Sequence, residues 1–489
     1  MTAQARFVGL TRSRAGRAVS ISLDRNLAAR RVARRLGLWT PPGTAVPPEA
    51  PVGVKLELTH RCNLKCPFCY TDSPRHTRAL SADLGDDDWR AVVADAIDAG
   101  VVEAVVTGGE PLLRKALALE LLTTLSRAGV GTTLNTNGWF VDEAVADHLR
   151  TIEGLHVNIS LDGATPELHD GARGGVGSWA RAVAAADRLL ARGVRVRMIH
   201  VVTPANVAWI DSVLEHAWLL GVGSMRVTRV GVMGAAARGG DWSVDSHALF
   251  TAVERFRARR GCAMPVRVNT ASAANLAALE DVAPAALLVR PSGAVLIDSQ
   301  KPFRFGTVPA ESLRTCWDRI AATWPHPDLV EWADAITTSS GLGRSEHVPY
   351  RDEEVELVAA PESIASGREV VESSIPSATP ARPASIDLEG ARRTIVAIAT
   401  ARRYTQARVR FTGDGTRGRY VRVVEDGMTC RLNTTAARVM DACLDGSPAD
   451  AIGSLAATHP AVSREAIEAD VLGSVRSLLD RKIILPLPR

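Results

Sequence analysis

The sequence predicts an α/β fold built on a parallel sheet, followed by a smaller domain near the carboxyl terminus. Strand-like runs alternate with helical runs of about 10–15 residues over the first half of the chain. This order favours right-handed strand–helix–strand units, whose strands lie parallel in one sheet. With 489 residues, 46% of them apolar, the chain is long enough for two or three domains.

Each unit of the predicted sheet has its own signals. Val54–Thr59 alternates as a half-buried strand does, and Asp86–Ala99 begins with acidic residues and stops at Gly100, as helices often do. Val101–Thr107 is a short apolar run typical of a buried parallel strand. Further helices are predicted over Leu112–Ala128, Asp142–Thr151, Ser178–Ala191 and Asn206–Leu220, and further strands over Gly131–Asn135, Leu155–Leu161, Val194–Val202 and Ser224–Val230.

Three cysteines, Cys62, Cys66 and Cys69, follow the first predicted strand within eight residues. Structural zinc requires four protein ligands, and an iron–sulfur cube held only by protein requires four thiolates. Three thiolates suit a [4Fe–4S] cluster with one iron open to a small molecule. Two alternatives remain, zinc with His60 as fourth ligand and a disulfide beside one free thiol.

The Cys-x3-Cys-x2-Cys spacing, with Tyr70 after the last cysteine, resembles the radical S-adenosylmethionine (SAM) superfamily. The resemblance implies that the open iron binds the amino and carboxylate groups of SAM. It also implies a partial (β/α)6 radical SAM barrel for the predicted sheet. The cysteine loop follows the first strand, at the carboxyl edge where α/β folds bind ligands.

Three further motifs occur in the order found in that superfamily. Gly108-Gly109-Glu110-Pro111 resembles its Gly-Gly-Glu-Pro motif, although such a run is also typical of an ordinary β-turn. Asn135-Thr136-Asn137-Gly138 resembles the polar end of a barrel strand, and Ser160-Leu161-Asp162-Gly163 with Arg173 resembles a stretch of peptide-modifying members. The resemblance assigns Ser160 and Arg173 to the SAM ribose and carboxylate. The full set of implied SAM-binding residues is Tyr70, Gly108, Gly109, Glu110, Pro111, Asn135, Asn137, Ser160, Asp162 and Arg173. For Tyr70, a place in the apolar core is the alternative.

Residues 236–344 resemble the small extension, SPASM or twitch, in which relatives bind auxiliary clusters through cysteines. The hairpin pattern of Pro291–Asp298 is present, but Asp298 stands where a cysteine would follow. Only Cys262 and Cys316 remain between the barrel and residue 340, and two thiolates cannot hold a second cube. We therefore predict one [4Fe–4S] cluster. Cys262 and Cys316 are candidate hydrogen donors or buried core thiols.

The other boundaries follow from composition. Residues 1–50 form an arginine-rich, acid-poor segment that suits either a transit peptide or, as we favour, a basic flap. Residues 51–235 correspond to the barrel and 236–344 to a small α+β extension. Residues 345–389 are rich in proline, serine, alanine and acidic residues, which predicts a flexible linker because they cannot bury enough apolar surface.

Residues 390–489 predict a separate, winged-helix-like domain with a hairpin and three helices. Tyr420–Glu425 and Met428–Leu432 flank Asp426-Gly427, a strong hairpin signal, and Arg408–Thr412 is a possible third strand. The helices are predicted over Asn433–Leu444, Pro448–Thr458 and Ser463–Arg481. This region resembles the PqqD-like family, which binds leader peptides as an added strand. The alternative is a DNA-binding winged helix, but no arginine cluster marks its recognition helix.

The sequence therefore favours a radical SAM enzyme that modifies a ribosomally synthesised precursor peptide. The 5′-deoxyadenosyl radical from SAM would abstract hydrogen from a core residue, and an intrapeptide cross-link would follow. The alternatives are a peptide epimerase with a cysteine hydrogen donor, a non-catalytic leader-binding scaffold, and a radical SAM enzyme acting on a small molecule or a folded protein. The implied partners are the precursor peptide and an electron donor such as flavodoxin or ferredoxin.

Charge and hydropathy restrict the remaining classes. A net charge of +4 is small for this length and predicts no nucleic-acid partner. No apolar run approaches the roughly 20 residues of a membrane span. Because cluster thiolates must stay reduced, we expect a cytoplasmic protein.

Overall fold

The computed structural model describes most of the chain. The described residues are 47–73, 83–231, 233–260, 264–269, 283–299, 303–324, 355–356, 386–402, 404–406, 409–415, 418–423, 429–432, 434–480 and 484–486. The predicted basic segment up to residue 46, Cys262 and most of the predicted linker lie outside these ranges. Within them, no helix is both long and apolar enough to cross a bilayer.

Six parallel strands form the centre of the molecule, which confirms the predicted α/β class and partial barrel. They are β1 (Gly53–Glu57), β2 (Glu103–Thr107), β3 (Gly131–Thr136), β4 (His156–Ser160), β5 (Arg195–Val202) and β6 (Ser224–Arg229). Each strand pairs in parallel with the next in chain order. Their carboxyl ends therefore meet at one edge of the sheet.

Helices cover the outer face of this sheet. They are α1 (Asp86–Asp98), α2 (Lys115–Arg127), α3 (Glu143–Arg150), α4 (Pro166–Arg173), α5 (Ser178–Leu190), α6 (Ile210–Leu220) and α7 (Ser246–Arg260). Buried strand residues such as Val106, Leu134 and Val157 pack with helix residues such as Trp89 and Leu121 in one apolar core. Burial of each such side chain stabilises the fold by roughly 1.5–3 kcal/mol.

Two departures from the predicted elements have local causes. The predicted helix over Leu112–Ala128 begins as a 3-10 turn at Pro111–Arg114 before α2, and the φ and ψ angles of Arg114 (−107° and 52°) break the two apart. Helix α4 was not predicted. Thr165 caps its amino end by accepting from the Leu168 N–H, and Pro166 occupies its first turn.

The extension continues the same sheet on both sides. Strand β7 (Val266–Asn269) pairs with β6, and β8 (Ala286–Val289) pairs with β1, both in parallel. The predicted hairpin is formed by β8 and β9 (Ala294–Leu296), and β10 (Phe303–Thr307) and β11 (Val355–Glu356) follow at the edge. Helix α8 (Leu313–Thr323) then packs against α1.

The carboxyl-terminal region contains the predicted sheet and three helices. Strands β12 (Tyr404–Gln406), β13 (Val409–Gly415), β14 (Gly418–Val423) and β15 (Thr429–Leu432) precede α10 (Thr434–Asp445), α11 (Pro448–Thr458), α12 (Arg464–Asp480) and β16 (Ile484–Pro486). Strands β13, β14 and β15 form an antiparallel sheet in that order, while β12 pairs with β16. The predicted turn Asp426-Gly427 lies outside the described residues.

One helix before this sheet links the two parts of the molecule. Helix α9 (Leu388–Thr400) begins two residues before the predicted boundary at 390. Its Ile395, Val396 and Ala399 join the barrel core, whereas Val439 and Val471 belong to a second core within the carboxyl-terminal region. The predicted separate domain therefore has its own core and also packs on the barrel.

Candidate functional site

The three cysteines lie on the loop after β1, at the carboxyl edge of the barrel sheet. All three are partly exposed and free of disulfide bonds. The Leu64 N–H lies 3.5 Å from Cys62 Sγ, and Cys69 Sγ lies 3.2 Å from Thr71 Oγ1. Cys66 Sγ lies 3.6 Å from Arg173 O.

The Gly-Gly-Glu-Pro segment fixes the shape of this loop. The Gly109 N–H donates to Thr59 O at 2.7 Å, and the Glu110 N–H donates to Arg61 O at 2.8 Å. A Cβ on Gly108, whose φ is +143°, would lie 2.8 Å from Thr59 O, and one on Gly109 would overlap Arg61 O. The two glycines are needed because the cysteine loop passes directly over them.

Two further glycine positions, which the sequence did not single out, hold the other side of the loop. Gly174 has φ +62°, and a Cβ there would lie 2.6 Å from Lys65 O. Gly234 has φ +58° and packs against the Cys69 and Tyr70 carbonyls. Gly174 directly follows helix α4 and Gly234 follows β6, so their signal in the sequence was a glycine after a regular element, which became meaningful only with the loop in place.

Glu110 is fully buried and joins the ends of β2 and β3. Its carboxylate accepts from the Leu112 N–H at 3.0 Å, from Thr136 Oγ1 at 2.8 Å and from the Asn137 N–H at 2.8 Å. Burial raises the pKa of Glu110 to about 7, although these hydrogen bonds oppose the rise. Glu110 therefore orders the backbone beside the cysteine loop.

Asparagine side chains extend the polar edge along β3 and β4. Asn137 Nδ2 donates to Asn63 Oδ1 at 2.9 Å and lies 4.0 Å from Cys62 Sγ. Asn135 accepts from Asn158 Nδ2 at 2.7 Å. The structure thus brings the predicted Asn137 to the cysteine loop, whereas Asn135 lies two residues earlier, within β3.

The predicted Asp162 and Arg173 form a buried ion pair at the end of β4, with Arg173 Nε 2.5 Å from Asp162 Oδ2. The Arg173 guanidinium also lies 3.8 Å from Cys66 Sγ, and its backbone oxygen accepts from the Lys65 N–H at 3.1 Å. Ser160 ends β4 at the same edge and is partly exposed. Arg173 therefore contacts the cysteine loop, and Ser160 lies at the same edge of the sheet.

Tyr70 belongs to a charged cluster that sequence reasoning missed. Its hydroxyl donates to Glu57 Oε1 and accepts from Lys55 Nζ, both at 2.9 Å, and Arg290 Nη1 lies 2.8 Å from Glu57 Oε2. Burial opposes the charge of Glu57, but Arg290 and Lys55 outweigh it and lower the pKa of Glu57 to about 2. Two charges two residues apart on an apolar strand were the available signal, since they share one face.

The structure describes one of the two candidate hydrogen donors, Cys316, and not the other, Cys262. Cys316 lies on α8 with an exposed fraction of 0%, inside the apolar core beside Trp317. Burial raises the pKa of the Cys316 thiol to about 12. Cys262 lies outside the described residues. The Cys316 thiol is enclosed in the core. It would have to leave the core before it could reach a peptide.

The cysteine loop fits a cluster better than a single metal ion. His60, the alternative zinc ligand, has its Nδ1 2.6 Å from Asp83 Oδ1, and within the described ranges no three His, Cys, Asp or Glu side chains converge on one ion. Burial raises the pKa of Cys62 to about 12 and that of Cys66 to about 11. Without a metal these two thiols therefore stay protonated at neutral pH, and each would have to lose its proton to bind iron as a thiolate.

Comparison with known proteins gives two family matches. The radical SAM superfamily matches residues 56–217, and coenzyme PQQ synthesis protein D (PqqD) matches residues 420–484. A PqqA peptide cyclase of Ruegeria pomeroyi is 33% identical over 206 residues, which are 42% of this chain and 54% of the relative. One of Gluconobacter oxydans is 33% identical over 180 residues, or 37% of this chain and 49% of the relative. The chain thus spans about half the length of these relatives.

Solved structures resemble the fold more distantly. Streptococcus suis SuiB has a TM-score of 0.46 and 17% identity, with 59% of this chain and 68% of SuiB covered. Native anSMEcpe with bound AdoMet has a TM-score of 0.43 and 16% identity, with 55% of this chain and 80% of that protein covered. Together with the cysteine loop and the carboxyl-terminal sheet, the two family matches show that this chain joins a radical SAM domain to a PqqD domain.

Proposed function

We propose that this protein is a radical SAM enzyme that matures a ribosomally synthesised precursor peptide by forming a cross-link within it. One observation carries the proposal: a three-cysteine loop at the carboxyl edge of a radical SAM barrel shares a chain with a PqqD domain. The barrel relatives bear the name PqqA peptide cyclase, and ring formation is the activity that this name denotes.

The proposed cofactors are SAM and one [4Fe–4S] cluster held by Cys62, Cys66 and Cys69. When bound, they supply the 5′-deoxyadenosyl radical that removes hydrogen from a carbon of the peptide. The count of one cluster rests on the cysteines left over, since only Cys262 and Cys316 lie between the barrel and the linker.

The chain's own residues would bind and orient SAM at the edge described above. We assign the SAM carboxylate to Arg173, which the Asp162 carboxylate holds beside Cys66, and the ribose to Ser160. Both oxygens of Glu110 already accept hydrogen bonds, so its proposed role is to hold Asn137 and the Gly108-Gly109 backbone in position. Tyr70 is held in place on the loop by its hydrogen bonds with Glu57 and Lys55.

The proposed peptide partner binds through its leader to the sheet of β13, β14 and β15. Among the described strands, β13 and β15 each pair with β14 alone, so each offers an edge for an added strand. An acidic one-electron donor such as flavodoxin or ferredoxin would reduce the cluster. A reducing compartment, the cytoplasm, follows from the need for reduced thiolates.

Two alternatives, a peptide epimerase and a scaffold without activity, are less well supported. An epimerase needs a thiol that reaches the substrate radical, and the burial of Cys316 disfavours that route. A scaffold without activity would need neither the free cysteine loop nor the ordered Gly108-Gly109 contact that supports it.

The test uses anaerobically reconstituted full-length protein with SAM, a reductant and the peptide encoded by the short open reading frame beside the gene. We expect 5′-deoxyadenosine and a cross-linked peptide, both absent when the three loop cysteines are alanine. Leader binding without 5′-deoxyadenosine would support the scaffold. Calorimetry with a proline scan of the leader locates the added strand, because proline removes a ladder donor.

A further inference from the structure

The PqqD domain is fixed to the barrel by buried polar contacts. Arg402 Nε lies 2.8 Å from Asp187 Oδ1, and the two side chains are only 5% and 6% exposed. Arg476 Nη2 donates to Val222 O at 2.6 Å. Because a buried charge without its partner is strongly unfavourable, these contacts disfavour detachment of the domain.

We call the Asp187–Arg402 ion pair the lock. Apolar packing accompanies it. On α9, Ile395 and Val396 are buried in the barrel core, and Leu472 of α12 joins them. A Cβ on Gly473 of α12 would lie 3.3 Å from the ring of Trp218 on α6, so the two helices lie in close contact. The domain thus shares an apolar core with the barrel as well as having its own.

The lock lies at the end of the barrel opposite the cysteines. Helices between parallel strands run back towards the amino edge of the sheet, so Asp187 near the end of α5 and Val222 just before β6 both mark that edge. Gly193, before β5, lies close to Pro486 of β16. Strand β16 pairs with β12, and β13 begins three residues after β12 ends.

A leader bound to the β13–β15 sheet must therefore send its core region along the height of the barrel. Strand β5 has eight residues, which span about 26 Å at ~3.3 Å per residue. An extended peptide covers at most ~3.3–3.6 Å per residue. We infer that the substrate is a precursor peptide with a spacer of at least about eight residues between leader and modified residue, a length imposed by the docking of the PqqD domain at the amino edge of the barrel sheet. This inference rests on the proposed function.

Two protein variants and a peptide series test the inference. The peptide from the adjacent reading frame is synthesised with its spacer intact and shortened to about four residues, below the reach calculated above. Asp187→Asn with Arg402→Gln removes both lock charges together and leaves the apolar contacts of α9 unchanged. Arg90→Gln with Glu120→Gln removes an exposed pair on α1 and α2 as the matched control. Leader affinity, product formation and hydrogen exchange of 210–220 are measured for each.

We expect the wild-type and control proteins to bind both peptides equally but to modify the short one at least tenfold more slowly. The lock variant should recover part of that loss, because Arg476 and the apolar contacts of α9 remain, and it should show faster exchange in 210–220. Equal modification of both peptides by the wild-type protein would overturn the inference, as would a lock variant that leaves the short peptide unmodified. If no protein modifies any peptide, the proposed function fails. Hydrogen exchange then tests by itself whether the Asp187–Arg402 pair holds the domain on the barrel. Faster exchange of 210–220 in the lock variant supports this role, and unchanged exchange refutes it.

Discussion

The backbone of Gly109 lies against the Arg61 carbonyl group so closely that a Cβ atom would overlap the oxygen. This contact joins the Gly-Gly-Glu-Pro segment to the cysteine loop through the backbone hydrogen bond from Glu110 N–H to Arg61 O. The segment therefore shapes the cysteine loop.

Replacing Gly109 by alanine should displace the cysteine loop. Overpacking of this kind costs about 1–3 kcal/mol, and we expect the reconstituted variant to hold less than half of the wild-type iron. Gly171→Ala is the matched control, because Gly171 lies within α4 with nothing within 4 Å of its added Cβ. That control should keep full iron and gain up to about 1 kcal/mol from helix propensity. Full iron in Gly109→Ala would show that the contact does not matter.

The reconstituted protein should contain about four irons and four sulfides per chain, all lost when Cys62, Cys66 and Cys69 are alanine. The reason is that the remaining cysteines cannot supply a second set of three or four neighbouring thiolates. Iron and sulfide assays with absorption spectra check this expectation. About eight irons per chain, or a cluster signal that survives in the triple variant, would contradict the single-cluster proposal.

The Glu57 carboxylate should contribute an acid-sensitive part of the stability. Its pKa is about 2 in the folded chain against 4.5 ordinarily, so the unfolded chain takes up the proton first as the pH falls. The contribution is therefore complete above pH 4.5 and is lost as the pH falls towards 2. Denaturant unfolding of Glu57→Gln between pH 3 and pH 7 should show a flatter pH dependence than the wild type.

Removing Arg290 tests the charged group of Lys55, Glu57, Tyr70 and Arg290 at neutral pH. Arg290→Met leaves Glu57 buried with only Lys55 as a cationic partner, and we expect a loss of about 3 kcal/mol. The double variant Arg290→Met with Glu57→Gln should lose less than the two single losses combined, because no buried carboxylate then lacks its partner. Additive losses would mean that the two side chains do not interact.

Cys316→Ala separates a core thiol from a hydrogen donor. The enclosed side chain predicts a stability loss of about 1 kcal/mol from the smaller residue, with an unchanged peptide product. Product masses and thermal unfolding of the variant, with Cys262→Ala beside it, check both parts. Loss of product without loss of stability would assign Cys316 to the reaction.

The sequence predicted the order of strands and helices more completely than it predicted the contacts of individual side chains. Strand β2 and the three carboxyl-terminal helices have local signals, namely apolar runs and caps, and their predicted bounds differ from the structure by only one or two residues where they differ at all. In the group of Lys55, Glu57, Tyr70 and Arg290, the contact between Glu57 and Arg290 joins residues 233 positions apart. No local pattern encodes such a contact.

The same limit explains the docking of the PqqD domain. The prediction separated 390–489 from the barrel because the preceding composition is that of a linker. The Asp187–Arg402 pair spans 215 positions, and each residue alone resembles an ordinary charged surface residue. The apolar face of α9 was the available signal, but its partner on α6 could be identified only in three dimensions.

The mass of the modified peptide, made in ordinary water and in D2O, tests the central claim most directly. Cross-linking predicts the loss of two hydrogen atoms in both solvents, with 5′-deoxyadenosine formed alongside and neither product made by the triple cysteine variant. Epimerisation through a thiol would leave the mass unchanged in water and add one deuterium in D2O, because the thiol exchanges with solvent before it donates. A product of that kind, especially one that disappears in Cys316→Ala, would contradict the cross-linking account.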